Sequence, residues 1–227
     1  MKQKIGIVAA VLLVALLGTS LVCAAPATPK WVAYDYTTQV EPPPEFEEGT
    51  GSSPMSYYCK IEDGALVLNT MSDPKAGPTY KLRISTPKPG FKMTVVTRAK
   101  VNGEFGMDFD FRTGVRERVQ LLGSGISLNT SKINDTTVKT TDWHTYFITF
   151  EVINDGGVKL VTKIYVDGAT NPVVQGTSNT TDTSGYFRFG DGSGNSGYMG
   201  SIDWFMYTFD GAFSPDQVNL PSGFSLK

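Results

Sequence analysis

From residue 31 onward the sequence falls into short runs of Val, Ile, Thr, Phe and Tyr, divided by Gly, Pro, Asn, Asp and Ser, with no long amphipathic helical pattern between them. This punctuation constrains the fold more than any other feature. The runs WVAYDYT, SYYCKIE, ALVLNT, TYKLRIST, FKMTVVTRAKV, FGMDFDFR, ERVQLLG, GISLNT, HTYFITFEVI, VKLVTKIYVDG, GYFRFGD and SIDWFMYTF read as strands, and NDGG at 154–157 as a turn between two of them. Strands joined by turns, without helical crossovers, pair antiparallel, so the expectation is an all-β sandwich or barrel. Two segments break the rhythm. EPPPEFEEGTGSSP, Glu41 to Pro54, is acidic and proline-rich and is excluded from a central strand. GDGSGNSG, Gly190 to Gly197, lacks the Lys-Ser/Thr ending and following helix of a phosphate-cradling loop.

The first residues stand apart from this pattern. MKQKIGIVAAVLLVALLGTSLVCAA has lysines at 2 and 4, an apolar run too short for a comfortable membrane span, and a small-residue end. Residues 1–24 are expected to be a signal peptide and 25–227 one domain, secreted to the extracellular space, periplasm or cell surface, with no integral membrane segment after the leader is removed. Losing the leader takes away two of the 20 basic residues and none of the 22 acidic ones, so the mature charge is −4. An acidic chain without a basic patch argues against a nucleic-acid partner. Cys23 belongs to the leader, which leaves Cys59 without an intrachain partner and without a disulfide to staple the fold.

Three anchors occur in order: Glu62-Asp63-Gly64-Ala65-Leu66-Val67-Leu68; Asp142-Trp143-His144-Thr145-Tyr146 with Ile164-Tyr165-Val166-Asp167-Gly168; and Ser201-Ile202-Asp203-Trp204-Phe205-Met206-Tyr207-Thr208. Together they resemble the concanavalin A-like lectin/glucanase superfamily, which includes laminin-G-like domains and β-glucanases. The resemblance implies a jelly-roll β-sandwich of two curved antiparallel sheets that binds a poly- or oligosaccharide on its concave face. It also implies a structural Ca²⁺ held by the Gly64 carbonyl and by Asp203, with Asp35 or a neighbour as a third oxygen; oxygen donors of this kind suit calcium.

The stretch GEFGMDFDFR, Gly103 to Arg112, alternates so that Asp108, Asp110 and Arg112 share one strand face and Met107, Phe109 and Phe111 the other. Laid on the Glu-x-Asp-x-Glu strand of the glucanases, it puts Gly106 where the nucleophile stands. Glycine has no carboxylate, and a retaining pair must bring two to about 5 Å. The expectation is therefore a non-catalytic, lectin-like domain whose ligand meets Asp108, Asp110, Arg112, His144 and Tyr146. Two alternatives stay open. One is a polysaccharide-degrading enzyme, a lyase or hydrolase, in which Arg112, Arg116, Arg118 and Gln120 neutralise a uronate carboxylate. The other is a laminin-G-like protein-interaction module. Trp143 and Trp204 read as core, leaving Trp31 as a free stacking platform, with Tyr57, Tyr58, Tyr186 and Tyr198 as further candidates.

Overall fold

The computed structural model describes residues 27–37, 44–49, 55–85, 88–192 and 196–226. The expected leader and most of the 41–54 segment lie outside these residues. Alternating apolar and polar positions give fourteen strands: β1 (Val32–Asp35), β2 (Phe46–Gly49), β3 (Cys59–Glu62), β4 (Ala65–Asn69), β5 (Thr79–Arg83), β6 (Lys92–Val101), β7 (Phe105–Leu122), β8 (Gly125–Leu128), β9 (Ile133–Asp135), β10 (His144–Asn154), β11 (Val158–Val166), β12 (Val174–Ser178), β13 (Thr181–Gly190) and β14 (Met199–Thr208). They form two antiparallel sheets, a jelly-roll β-sandwich as the sequence implies. The first runs β12-β11-β10-β6-β14-β4-β3 with β1 also on β14, and the second runs β2-β5-β13-β7-β8-β9. Among the described residues no helix is long and apolar enough to cross a membrane.

Three differences from the sequence reading are instructive. Phe46–Gly49, inside the proline-rich segment, is an edge strand paired to β5, because Phe46 drops into the core while Glu47 and Glu48 stay at the surface. SYYCKIE begins as a helical turn, α1 (Met55–Tyr58), and becomes strand only at Cys59. The short strands β9 and β12 carry too few apolar residues to stand out by pattern.

Strand β7 is the element on which the site depends. Its eighteen residues would span about 60 Å if straight, yet its two ends meet. Gln120 Nε2 donates to Asp108 Oδ1 at 2.9 Å, Arg116 Nε to Asp110 Oδ1 at 3.2 Å, and the Gly123 amide to the Glu104 carbonyl at 2.8 Å. Such contacts require the chain to double back, and it does so about Gly114, whose φ of +79° favours glycine. The first leg pairs with β13 from Asp108 to Arg112, β13 pairs again with Gly114 and Val115 at the turn after a register shift, and the second leg pairs with β8 from Val119 to Leu122. FGMDFDFR and ERVQLLG, separate strands in the sequence reading, are these two legs.

The sheets meet through an aromatic core. Phe109 and Phe111 of β7 and Phe187 and Phe189 of β13 are buried against Phe150 of β10 and Phe205 of β14, with Phe111–Phe150 centroids 5.0 Å apart and Phe189–Phe205 4.7 Å. Each such ring stabilises the fold by about 2–3 kcal/mol through burial alone. The far side of the first sheet is not bare. Val96, Phe147, Trp204 and Met206 form a second apolar cluster, covered by Trp31, Phe213, Leu220, Phe224 and Leu226. The far side of the second sheet carries charge instead.

Candidate functional site

Period-two alternation puts Phe109 and Phe111 inward, and so turns Asp108, Asp110 and Arg112 outward. The return leg of β7 adds Arg116, Arg118 and Gln120 to the same face, and β13 adds Tyr186 and Arg188, which sit opposite Arg112 and Asp110 in register. Asp110 is fully buried beneath these arginines. Its Oδ2 accepts from Arg112 Nε at 2.7 Å and from Arg188 Nη2 at 2.9 Å, its Oδ1 accepts from Arg116 Nε, and Arg118 Nε lies 3.7 Å away. Burial alone would push its carboxyl up, but the guanidiniums of Arg188, Arg112 and Arg116 outweigh that and hold it below the usual carboxylate range.

Asp108 has the opposite environment. Oδ1 accepts from Gln120 at 2.9 Å and from the Tyr198 hydroxyl at 3.4 Å, whereas Oδ2 is buried without a hydrogen bond, its nearest cation being Arg118 Nη1 at 3.6 Å. Burial pushes this carboxyl up to about 6, against the opposing pull of Arg118 and Gln120. A Cβ on Gly192 would lie 2.6 Å from Asp108 Oδ2, so Gly192 packs directly on this acid, and its carbonyl accepts from Arg188. Gln120 is itself held from behind. Asn129 Nδ2 donates to its Oε1, and the loop carrying Asn129 is pinned by buried Glu117, whose carboxylate accepts the Thr130 and Ser131 amides.

Asp110 thus orients a set of arginines that retain solvent access, with side chains of Arg112, Arg116, Arg118 and Arg188 each 16–25% exposed. Lys81 of β5 and Arg112 and Arg188 surround the Tyr186 ring at 5.2–5.8 Å. Four guanidiniums face Asp108, Asp110 and Asp182, and Lys81 and Arg83 of β5 face Glu47 of β2, so these six cations meet four carboxylates.

The structure divides the residues expected to act together. Asp108, Asp110 and Arg112 share this face. His144 and Tyr146 do not, because β10 belongs to the other sheet. Tyr146 is fully buried between the sheets, and His144 Nδ1 pairs with Asp167 Oδ2 at 2.7 Å. Arg188 was missed, although YFRF repeats the alternation of FDFR. Trp204 is core as expected, but the other two tryptophans depart from expectation. Trp31 packs against the second apolar cluster, whereas Trp143 is half-buried with Arg98 and Lys100 each 5.0 Å from its ring. Tyr198 is buried, its hydroxyl turned to Asp108 and Gln120.

The calcium expectation meets a different obstacle. Asp35 and Asp203 do lie close, since the Tyr36 amide donates to the Asp203 carbonyl, but Arg98 Nη1 sits 2.5 Å from Asp203 Oδ2. Gly64 is explained by a two-residue hairpin turn, with Asp63 at φ +51° and Gly64 at φ +75° between the paired Glu62 and Ala65. An acid already neutralised by a guanidinium does not fit a dication.

Gly106 is closed as well as lacking a carboxylate. A Cβ there would lie 2.3 Å from Val101 Cγ2 and 2.9 Å from the Leu121 carbonyl oxygen. A glutamate at this position has no room beside Asp108.

No family model matches the chain, and no curated protein matches it by sequence. Solved structures do share its fold. It superposes on the apo Crh5 transglycosylase with a TM-score of 0.51 and 10% identity, covering 86% of this chain and 95% of that one. An engineered GH43 glycoside hydrolase with endo-xylanase and exo-arabinofuranosidase activity gives 0.53 and 13%, covering 81% of this chain and 41% of that one. The alginate lyase Aly36B, as a mutant with alginate trisaccharide, gives 0.48 and 8%, covering 81% and 99%. At these identities the likeness concerns the fold, a β-sandwich that carbohydrate-active enzymes use, and it does not separate binding from catalysis.

Proposed function

We propose that this chain is an exported, concanavalin A-like glycan-binding domain that holds its saccharide on the outer face of the second sheet. One observation carries the reading: four arginines from two strands converge on a buried aspartate and keep donors free toward solvent. Beside them stand the Asn129 side chain, which is held by Gln120, and the Tyr186 ring, groups that hydrogen-bond to hydroxyls or stack on a pyranose. The lining is polar, unlike the apolar pockets that take drug-like molecules or the aromatic anchors of protein interfaces. Export rests on the composition of residues 1–24.

The direct test is binding of the mature protein to an immobilised polysaccharide panel, beside its Arg188→Met and Arg98→Met variants. Selective retention lost in Arg188→Met and kept in Arg98→Met, on the opposite sheet, supports the assignment. Silence across the panel, or retention that ignores Arg188, removes it.

A second reading, polysaccharide cleavage, is favoured by Asp108, a buried acid raised to about 6 beside the Tyr198 hydroxyl. New ultraviolet absorbance from a C=C bond, or new reducing ends, on incubation with a bound polymer would put it first.

A further inference from the structure

We infer that the saccharide is an acidic polymer lying across strands β5, β13 and β7, its carboxylate or sulfate groups seated on Lys81, Arg188 with Arg112, and Arg116 with Arg118. The inference rests on the glycan reading above and adds the class and path of the ligand.

Charge gives the class. The four guanidiniums exceed the three carboxylates among them, and Lys81 and Arg83 add two cations against the single carboxylate of Glu47. Partly desolvated cations without a matching anion are unfavourable, and an anion from outside completes them. Asp110 does not repel such a ligand. It has no exposed surface, and both of its oxygens are occupied by guanidinium N–H groups. Each guanidinium carries five N–H donors in a planar fork, so the arginines held by Asp110 still present N–H groups suited to a carboxylate or sulfate.

Register gives the path. Lys81, Arg188 and Asp110 stand side by side on three adjacent strands, and Arg83, Tyr186 and Arg112 form the next row. The return leg of β7 extends the first row with Arg118, which reaches both Asp108 and Asp110. Arg83 is bound directly by Glu47 at 3.0 Å, whereas Lys81 shares that carboxylate only as its cross-strand neighbour and stands as the outer cation of the track. Adjacent strands are about 4.8 Å apart, so the row from β5 to the second leg of β7 covers about 14 Å. The strand spacing is comparable with the advance of a pyranose chain, so a linear polymer with an acid on each unit meets Lys81 on β5, Arg188 on β13 and Arg118 on the return leg, with Asp110 buried beneath the guanidiniums between them. The flat Tyr186 ring among three cations gives a pyranose face a place to rest.

Calorimetric titration of the mature chain separates the possibilities, using hexamers of galacturonic acid, of heparin and of glucose, with single-stranded DNA and polyglutamate as non-saccharide polyanions. The expected result is binding of an acidic hexamer, weakening with added salt, with the glucose hexamer at least about tenfold weaker. Binding of the galacturonate hexamer shows that carboxylates suffice, and binding of the heparin hexamer without it shows that sulfate is required. Lys81→Glu and Lys81→Met, both outward-facing, should weaken the hexamer several-fold while leaving the melting temperature and the binding of monomeric galacturonate unchanged. Equal binding of the glucose hexamer would overturn the acidic class while leaving the glycan reading intact. Binding of DNA or polyglutamate as tight as that of the acidic hexamer would overturn it as well, since the face would then be a general anion exchanger. Hexamer affinity indifferent to Lys81 would overturn the path. No saccharide bound at all would remove both readings.

Discussion

Asp110 is fully buried, and its oxygens accept from Arg112, Arg116 and Arg188, so removing its charge strands several partly desolvated guanidiniums at once. Asp110→Asn is expected to lower unfolding stability by about 3–5 kcal/mol in urea titration, far more than an exposed pair would. Asp108 gives a pH signature of opposite sign. Its carboxyl is raised from 3.8 in an unperturbed chain to about 6 by burial. Between those values the folded protein keeps a proton that the unfolded chain has lost, so this residue's contribution falls as pH rises from about 4 to about 6 and is level above, a change on the order of 2–3 kcal/mol. Asp110, held below the usual range, contributes stability that is lost only as pH drops below that window. The stability difference between the wild-type protein and Asp108→Asn should therefore shift against the wild type across pH 4 to 6, and a flat difference would contradict the buried, under-bonded environment. Both aspartates and Arg112 were legible as one face from alternation alone. That Arg116, Arg118 and Gln120 reach them was not, because only the reversal at Gly114 brings together residues up to twelve positions apart.

At the scale of elements, the hairpin β7 and the strand β13 beside it make the site, and their close packing closes off an alternative. Gly106 lies where the backbone nears Val101 and Leu121, and a Cβ on Gly200 would come within 2.9 Å of the Gly106 carbonyl oxygen. Gly106→Ala should cost about 1–3 kcal/mol by overpacking, measured by chemical denaturation. Gly106→Glu should yield an unstable protein without glucanase activity. Recovered hydrolysis would show that the strand still accepts a nucleophile. The strands themselves were well marked by their turns. Partners across the sandwich were not, since nothing local in HTYFITF shows that β10 joins the other sheet, where Tyr146 is core and His144 is tied to Asp167. Edge strand β2 was masked by the prolines and glutamates around its one buried phenylalanine.

Among the described residues, one sheet has an apolar cluster on its outer face as well as on its inner one, and the other is left charged on its outer face. The first sheet packs inward on the aromatic core and outward under the 213–226 segment, where Phe224 meets Trp204 at 5.3 Å. Stability therefore has two apolar sources, and the Arg98–Asp203 pair occupies the position that the family likeness gave to calcium. A chelator should leave the melting temperature unchanged, and a clear fall would show that a cation displaces Arg98. The central claim is that ligand meets the charged sheet. The most direct check is a guanidinium-resolved NMR titration with an acidic oligosaccharide. The Nε resonances of Arg112, Arg116, Arg118 and Arg188 are expected to shift together while that of Arg98, beside Trp143 on the opposite sheet, stays in place. Shifts confined to Arg98, or none at saturating saccharide, would contradict the account.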